Sequence, residues 1–320
     1  MIKAGIIGGA GYTAGELIRI LLFHPEVELV FVHSTSNAGN KLYDVHSGIL
    51  GDTEMCFSAD YDLNAVDVLF LCSGHGKSTE FWSQNERPAG LKVIDLAQDY
   101  RDEHDGYVYG LPEWQKDKIT GASLIANPGC FATAIQLALL PLAAAGMLSS
   151  EIQVTAVTGS TGAGVKPGAT THFSWRDNNL SAYKVFEHQH LLEIKRDLKA
   201  LSKQDELVIN FVPMRGDFTR GIFASVYTDC SLTEEEAVKL YKDYYKDAAF
   251  THVSDKAVDL KQIVNTNKAL VHVEKHDGKI VISSVIDNLL KGASGQAVQN
   301  MNIIFGLPEN TGLKLKASAF

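Results

Sequence analysis

Short apolar runs alternate with amphipathic helical patterns through the first part of the chain. The predicted strands are residues 3–7, 28–33, 66–72 and 92–96. Apolar residues at helical spacing over residues 15–23 follow the first strand directly and predict a helix. Because strands that alternate with helices usually pair in parallel, this part is predicted to be an α/β domain with a Rossmann-type parallel sheet.

The pattern changes after Cys130. Apolar residues 131–145 predict one long helix, and residues 234–245 predict a second, amphipathic one. The strand-like runs in this part are residues 152–158, 206–212, 221–229, 269–275 and 279–287. Such a series of strands predicts an α+β domain with a mixed or antiparallel sheet. Sheets of this kind often form subunit interfaces, so we expect a homodimer or homotetramer.

Composition and charge limit the kind of protein. A chain of 320 residues is enough for roughly two domains. The formal net charge of -9 argues against nucleic acid as a partner. No apolar run reaches the ~18–20 residues that cross a bilayer, which argues against a membrane partner. Because the first residues do not resemble a signal peptide, we expect a cytoplasmic protein.

The cysteines give no metal or disulfide framework. Cys56, Cys72, Cys130 and Cys230 are widely spaced and form no C-x-x-C pair. The segment His188-Gln189-His190 could ligate a metal ion, but no third ligand lies nearby in the sequence. We therefore expect no metal site.

A glycine-rich turn joins the first predicted strand to the first predicted helix. Glycine permits a sharp turn and lets backbone N–H groups approach a pyrophosphate, which then lies at the positive end of the helix. The position of the turn, after a strand and before a helix, is the one this mechanism requires. The predicted cofactor contacts are Gly8, Gly11, Tyr12, Thr13 and Ala14.

The end of the second predicted strand indicates which dinucleotide binds. Enzymes that use NAD usually place an acidic residue here to bind both ribose hydroxyls. Residues 34–41 contain no acid; they contain Ser34, Ser36 and Lys41. Hydroxyl groups and a lysine suit a 2′-phosphate, so NADP(H) is predicted, with Ser34 and Ser36 as contacts.

Cys130 follows an Asn-Pro-Gly turn and stands at the head of the long apolar helix. The N-terminus of a helix carries partial positive charge and N–H groups without carbonyl partners in the helix, which favours a thiolate. Cys130 is therefore the candidate nucleophile. Asn127, at the start of the same motif, is a predicted substrate contact.

The candidate proton carriers lie in residues 187–193. If a helix starts here, His190 and Glu193 are neighbours one turn apart, and the carboxylate can orient the ring. A histidine can pair with the thiolate and later protonate an alkoxide. The residues alone leave open whether His188 or His190 does this.

Two further segments could hold the anionic group of an acyl-phosphate substrate. Ser160 begins a glycine-rich loop after a predicted strand, and Lys166 lies just beyond it. Arg220 precedes another predicted strand, where its guanidinium could clamp a carboxylate or phosphate through two parallel hydrogen bonds.

With these residues considered, the chain resembles the N-acetyl-gamma-glutamyl-phosphate reductases of the semialdehyde dehydrogenase superfamily, nearly from end to end. The stretches that carry the resemblance are residues 11–17 (GYTAGEL), 93–96 (VIDL), 109–113 (YGLPE), 127–130 (NPGC) and 287–297 (DNLLKGASGQA). Where many members have arginine, Val165 stands here, and Gln189 departs from the usual histidine motif. These departures leave acetyl or succinyl open as the acyl group of the substrate, with acetyl as the default.

The resemblance implies an activity and the residues that perform it. Cys130 would be the nucleophile, and His190 the acid/base, with His188 second. NADPH would be the hydride donor, and N-acetyl-L-glutamyl 5-phosphate would be reduced to N-acetyl-L-glutamate 5-semialdehyde in arginine biosynthesis. Gly295 and Gln296 would approach the nicotinamide. By analogy with other two-domain dehydrogenases, residues 1–129 and 295–320 would form the NADP-binding domain, and residues 130–294 the catalytic and dimerisation domain.

Two rival functions differ from this interpretation. An aspartate-semialdehyde dehydrogenase would place its histidine further along the chain than His188 and His190. An NADP(H)-binding redox sensor without turnover would keep the glycine-rich turn, but would have no reason to combine it with Cys130, a histidine pair and Arg220.

Overall fold

The computed structural model describes residues 1–319. The chain divides into two compact units. The first comprises Met1–Pro128 and Ala293–Lys314, and the second comprises Gly129–Gly292 with the described residues from Leu315 onward. In the second unit the tail is held by the backbone N–H of Ser318, which donates to the carbonyl of Val264 at 3.1 Å.

Thirteen strands and nine α-helices occur in the described residues. The strands are β1 (Ile2–Ile7), β2 (Val27–His33), β3 (Val68–Leu71), β4 (Lys92–Asp95), β5 (Val108–Tyr109), β6 (Leu124–Ala126), β7 (Glu151–Thr158), β8 (Ser181–Ala182), β9 (Val208–Arg215), β10 (Ile222–Asp229), β11 (Thr251–Ser254), β12 (Ala269–His276) and β13 (Lys279–Ile286). The helices are α1 (Tyr12–Leu21), α2 (Leu42–Val45), α3 (Lys77–Gln84), α4 (Pro112–Thr120), α5 (Cys130–Ala144), α6 (Phe173–Arg176), α7 (His190–Ser202), α8 (Glu234–Tyr245) and α9 (Gly295–Ile304).

The first unit is built on a six-stranded sheet in the order β2-β1-β3-β4-β6-β5. Every neighbouring pair in it is parallel. Both faces of β3 are buried, which explains its continuous apolar sequence. Helix α9 packs on α1 and α4, so this late helix belongs to the unit with the parallel sheet, whereas the described residues from Leu315 onward belong to the second unit. The predicted Rossmann-type α/β domain is confirmed.

The second unit contains a seven-stranded mixed sheet in the order β11-β12-β13-β10-β7-β9-β8. The pairs β7–β9 and β11–β12 are parallel, and the others are antiparallel. Buried and half-buried residues alternate along β7, as expected for a strand with one face on the core. Helices α5, α7 and α8 pack against strands of this sheet. The predicted mixed sheet is confirmed.

Helix α5 is the central helix of the second unit, and nearly all of its residues are buried. Pro141 lies inside it and has no N–H to donate to the carbonyl four residues earlier, that of Leu137. The Tyr245 hydroxyl of α8 donates to that carbonyl at 2.6 Å instead. This bond satisfies a buried acceptor and joins α8 to α5, so the helix whose first residue is Cys130 is held firmly.

None of the helices in residues 1–319 is both long enough and apolar enough to cross a membrane.

Candidate active site

The glycine-rich turn of the first unit lies between β1 and α1. Gly8 has φ +82°, and a Cβ there would lie 2.8 Å from the backbone nitrogen of Ser73, so only glycine fits. Gly11 is the residue immediately before α1, and a Cβ built on it would meet nothing within 4 Å. This open space at the N-terminus of α1 fits a pyrophosphate group. Tyr12, Thr13 and Ala14 form the first turn of the helix, as predicted from their positions.

Two side chains from distant parts of the sequence support this turn. The His46 ring lies 2.8 Å from the Gly9 carbonyl through Nε2, and a Cβ on Gly15 would lie 2.6 Å from its Nδ1. The Ser294 hydroxyl donates to the carbonyl of Thr13 at 2.8 Å. Sequence reasoning did not find His46, because nothing in the local pattern connects it with a turn so far away along the chain.

The polar residues after β2 form a small hydrogen-bonded group. The Asn37 amide donates to the Ser34 hydroxyl at 3.2 Å and to the Ser36 hydroxyl at 3.0 Å. Lys41 donates to the backbone carbonyl of Glu54 at 2.6 Å and forms an ion pair with its carboxylate. The structure therefore brings the two predicted serines together, and gives Lys41 an exposed acidic partner.

Three other predicted site residues are buried inside the first unit. The Asn127 amide donates to the carbonyl of Ala293 at 3.0 Å, and its oxygen accepts from the Asn300 amide at 3.2 Å. Gly295 and Gln296 begin α9 and are buried. Asn127 thus ties the end of β6 to the segment before α9, and the predicted role in substrate binding stays a prediction.

Cys130 is the first residue of α5, and Gly129 immediately precedes the helix. The first N–H groups of an α-helix have no carbonyl partner within it, so they are available to an anion. A Cβ on Gly292 would lie 2.8 Å from the Cβ of Cys130. Glycine at position 292 therefore lets a turn of backbone pack directly against this cysteine.

The two predicted histidines lie at the start of α7, in the same unit as Cys130. Their rings are 4.6 Å apart and nearly perpendicular. The His190 ring packs so closely on the residue before Cys130 that a Cβ on Gly129 would lie 2.4 Å from His190 Nε2. The structure therefore brings His190 to the backbone at the head of α5, as the predicted partnership requires.

His188 has a different environment. Its ring is buried edge-on to Phe131 and Phe211, and its Nδ1 accepts the backbone N–H of His190 at 3.2 Å. Burial, together with the positive charges of Lys184 and Arg215, lowers the pKa of His188 to about 4. His188 is therefore a neutral ring at neutral pH and an acceptor at the start of α7.

Glu193 is buried one turn into α7. Its Oε2 accepts the backbone N–H of Gly129 at 3.0 Å. The sequence predicted that Glu193 would orient His190, and this role stays a prediction; the structure shows that the carboxylate holds the residue that precedes Cys130. The start of α5 and the first turn of α7 are thereby fixed to each other.

Arg220 lies two residues before β10 and is paired within the protein. Its guanidinium donates to both carboxylate oxygens of Asp287, at 3.1 and 3.2 Å. Asp287 is fully buried and also accepts the backbone N–H of Leu289 at 2.8 Å, while its carbonyl accepts the N–H of Gly292. Through Asp287, Arg220 thus holds the turn that packs against Cys130. Its predicted contact with substrate stays a prediction.

Ser160 and Lys166 lie in the loop after β7. The backbone N–H of Ser160 donates to the carbonyl of Phe218 at 2.8 Å, which joins the loop to the segment that carries Arg220. Asn288 reinforces this junction by accepting the N–H of Gly221 and donating to the hydroxyl of Thr161. Lys166 is exposed further along the loop, and its predicted contact with substrate stays a prediction.

Sequence reasoning missed Tyr183 and Arg215, which lie beside the histidines. The Tyr183 ring is 5.8 Å from the His188 ring, and the Arg215 guanidinium lies over the Tyr183 ring at 4.6 Å from its centre. The pairing of β8 with β9 creates this neighbourhood, and a strand of only two residues gives almost no periodic signal. Residues 1–319 contain no group of three or more His, Cys, Asp or Glu side chains that could hold a metal ion.

The first unit has a parallel sheet and the second a mixed sheet. These are the two kinds of domain found in two-domain nicotinamide-dependent dehydrogenases. Residues 3–122 match the family model described as "Semialdehyde dehydrogenase, NAD binding domain", and residues 130–288 match "Semialdehyde dehydrogenase, dimerisation domain". The first unit is thus a domain for a nicotinamide cofactor.

Curated relatives narrow the class. Proteins named N-acetyl-gamma-glutamyl-phosphate reductase are 57% identical in Phocaeicola vulgatus and 58% identical in Bacteroides thetaiotaomicron, each over 100% of both chains. A relative of the same name in Azobacteroides pseudotrichonymphae is 58% identical, again over the full length of both. The chain belongs to the N-acetyl-gamma-glutamyl-phosphate reductase family.

Solved structures of more distant proteins share the fold. Aspartate semialdehyde dehydrogenase from Candida albicans, determined with NADP, matches with a TM-score of 0.75 at 17% identity, over 97% of this chain and 99% of that one. Aspartate semialdehyde dehydrogenase II from Vibrio cholerae matches with a TM-score of 0.73 at 17% identity, over 96% and 98%. At this identity the likeness supports the fold alone.

Proposed function

We propose that the chain reduces N-acetyl-L-glutamyl 5-phosphate to N-acetyl-L-glutamate 5-semialdehyde, with NADPH as reductant and inorganic phosphate as the second product. The observation that carries the proposal is the position of Cys130 at the head of α5, with the His190 ring and the Glu193 carboxylate both on the preceding residue. The identity of the substrate rests on the names of full-length relatives at 57–58% identity.

In the first half of the reaction, the Cys130 sulfur attacks the acyl carbon of the substrate. A carbon–sulfur bond forms, the bond from carbon to the phosphate oxygen breaks, and inorganic phosphate leaves. The product is a thioester on Cys130, which accepts hydride more readily than a carboxylate does. Covalent catalysis thus divides one difficult displacement into two easier steps.

In the second half, the thioester becomes a thiohemiacetal alkoxide. The reduced nicotinamide, when bound, supplies the hydride for this conversion. N–H groups at the start of α5 stabilise the developing oxyanion. His190 donates a proton to the alkoxide, which gives the neutral thiohemiacetal. It takes the proton back as the carbon–sulfur bond breaks, which releases the aldehyde and the Cys130 thiolate. Neutral His188 keeps the start of α7 in place by accepting the N–H of His190.

The residues after β2 support NADPH over NADH. Residues 34–41 contain no carboxylate to compete with a 2′-phosphate, while Ser34 and Ser36 offer hydroxyl groups. Lys41 adds a positive charge, and its exposed partner Glu54 can be exchanged for a phosphate at little cost. Gly11 and the N-terminus of α1 would hold the pyrophosphate.

An assay of the reverse reaction tests the activity directly. Purified protein is expected to form NADPH from NADP+ only when N-acetyl-L-glutamate 5-semialdehyde and inorganic phosphate are both present. We expect kcat/KM to be at least about 10²-fold lower with the N-succinyl analogue or with aspartate semialdehyde, and lower with NAD+ than with NADP+. Equal or higher efficiency with either alternative aldehyde would assign the chain to that substrate instead.

The mixed sheet supports a homodimer, or a tetramer built from such dimers. Helices α5, α7 and α8 pack against strands of this sheet, while residues such as Thr155, Ser225 and Ser283 point to the other side and stay partly exposed. The matched family model is itself described as a dimerisation domain. Sedimentation is expected to give a mass at least twice the 34.9 kDa of the chain, and Ser225→Arg to shift it toward the monomer. A wild-type monomer at micromolar concentration would contradict the proposal.

A further inference from the structure

The last residue of β9, Arg215, has a charge that no acidic side chain neutralises in the described part of the chain. Its guanidinium lies over the Tyr183 ring, with 4.6 Å between the central carbon and the ring centre. Its Nε is buried and has no hydrogen-bond acceptor among the described residues. Leaving a buried donor of a charged group without an acceptor is costly, so such a donor needs an explanation.

This cation lies beside the residues that carry the proposed chemistry. Tyr183 connects Arg215 to His188, with 5.8 Å between the rings, and His188 contacts His190. The charge of Arg215 contributes to the low pKa of His188. Burial, and after it the charge of Cys130, raises the pKa of Tyr183 to about 12. The charge of Arg215 therefore acts on His188 and Tyr183, and the charge of Cys130 acts on Tyr183 as well.

Lys184 strengthens the positive character of this place. Its charge also acts on His188, and its Nζ donates to the neutral oxygen of Gln189 at 2.9 Å. Arg220, by contrast, is compensated by two hydrogen bonds to buried Asp287. The uncompensated positive charge near the histidines therefore comes from Arg215 and Lys184, on neighbouring segments of the second unit.

We infer that Arg215 binds an oxyanion of the substrate and sets specificity for it. Given the proposed function, on which this inference rests, the anion is the α-carboxylate or the phosphate of the acyl phosphate. A guanidinium presents parallel N–H donors that match either group, and the aromatic ring beneath it fixes its plane. The buried Nε is then satisfied when the substrate is bound.

The reverse reaction separates the two anions, because aldehyde and phosphate are then different substrates. Arg215→Gln is expected to raise one of their KM values by about 10–100-fold with kcat changed less than about threefold, and to leave the KM for NADP+ unchanged. A rise for the aldehyde identifies the α-carboxylate, and a rise for phosphate identifies the phosphate. Arg215→Lys, which keeps the charge but not the paired donors, is expected to show a smaller rise in the same KM.

Lys279→Gln serves as the control, since this exposed lysine lies at the start of β13 and pairs with exposed Asp229. Unchanged KM values for aldehyde and phosphate in both Arg215 variants would overturn the inference, and so would a fall in kcat alone. If Arg215→Gln does not fold, the Arg215→Lys variant decides by the same criterion. An inactive wild-type protein would contradict the proposed function, whereas an active wild type with indifferent Arg215 variants would contradict only this inference.

Discussion

Cys130→Ser is expected to lower kcat for phosphate-dependent formation of NADPH by more than about 10³-fold. A serine hydroxyl at the head of α5 remains protonated at neutral pH, so the helix N-terminus has no anion to stabilise and the acyl carbon meets a weak nucleophile. The small change in volume should leave α5 intact, because its buried face and the bonds from Tyr241 and Tyr245 are untouched. The Kd for NADPH, measured by the fluorescence of the cofactor, is therefore expected to stay within about twofold of wild type.

A matched control and a direct observation sharpen this experiment. Cys230→Ser changes another thiol of the same unit, in the turn after β10, and is expected to keep full activity. Wild-type protein mixed with the acyl phosphate in the absence of NADPH should gain the mass of the acyl group on the peptide that contains Cys130. Turnover of Cys130→Ser at the wild-type rate, or an acyl group on a different residue, would refute the covalent route.

The sequence was sufficient for the parts of the fold with a strong local signal. The buried strand β3 is a continuous apolar run, and α5 is a long apolar segment after a Pro-Gly turn, so both can be recognised from the local sequence. The strands β5, β6 and β8 were not predicted, because two or three residues are too few to show a period, and β11, with four residues, was also missed. The order of strands in the mixed sheet is likewise set by long-range pairing, which local patterns do not record.

The residues of the candidate site also fall into those that a local sequence pattern indicates and those that only long-range contacts bring together. Cys130, His190 and Glu193 could be proposed because helix starts and one-turn spacings are visible in the sequence. His46 and Arg215 could not be proposed. His46 contacts Gly9 from 37 residues further along the chain, and Arg215 contacts Tyr183 only because β8 pairs with β9. Arg220 shows the opposite case: its sequence context indicated an anion clamp, but the buried partner Asp287 comes from far along the chain.

The two histidines are expected to differ sharply when each is replaced. His190→Gln removes the ring that packs on Gly129 beside Cys130, and with it the proton for the alkoxide, so kcat should fall by about 10²–10³-fold. His188→Asn keeps an acceptor near the backbone N–H of His190 and should lower kcat by less than about tenfold. Circular dichroism and NADPH binding are expected to match wild type in both variants, which separates loss of chemistry from loss of fold.

The pH profile distinguishes the two roles further. The pKa of His188 is lowered to about 4, so its ring loses its proton well below neutrality and stays neutral as the pH rises from 6 to 9. A change of kcat/KM with a midpoint near neutral pH must then come from another group. Burial raises the pKa of Asp95 to about 6 and that of Asp197 to about 7, but His190 is the group whose ring packs on the residue before Cys130, so His190 is the one to test. His188→Asn should retain that midpoint within about half a pH unit, while His190→Gln should lose or displace it. A midpoint that disappears in His188→Asn but persists in His190→Gln would reverse the assignment and make His188 the proton carrier.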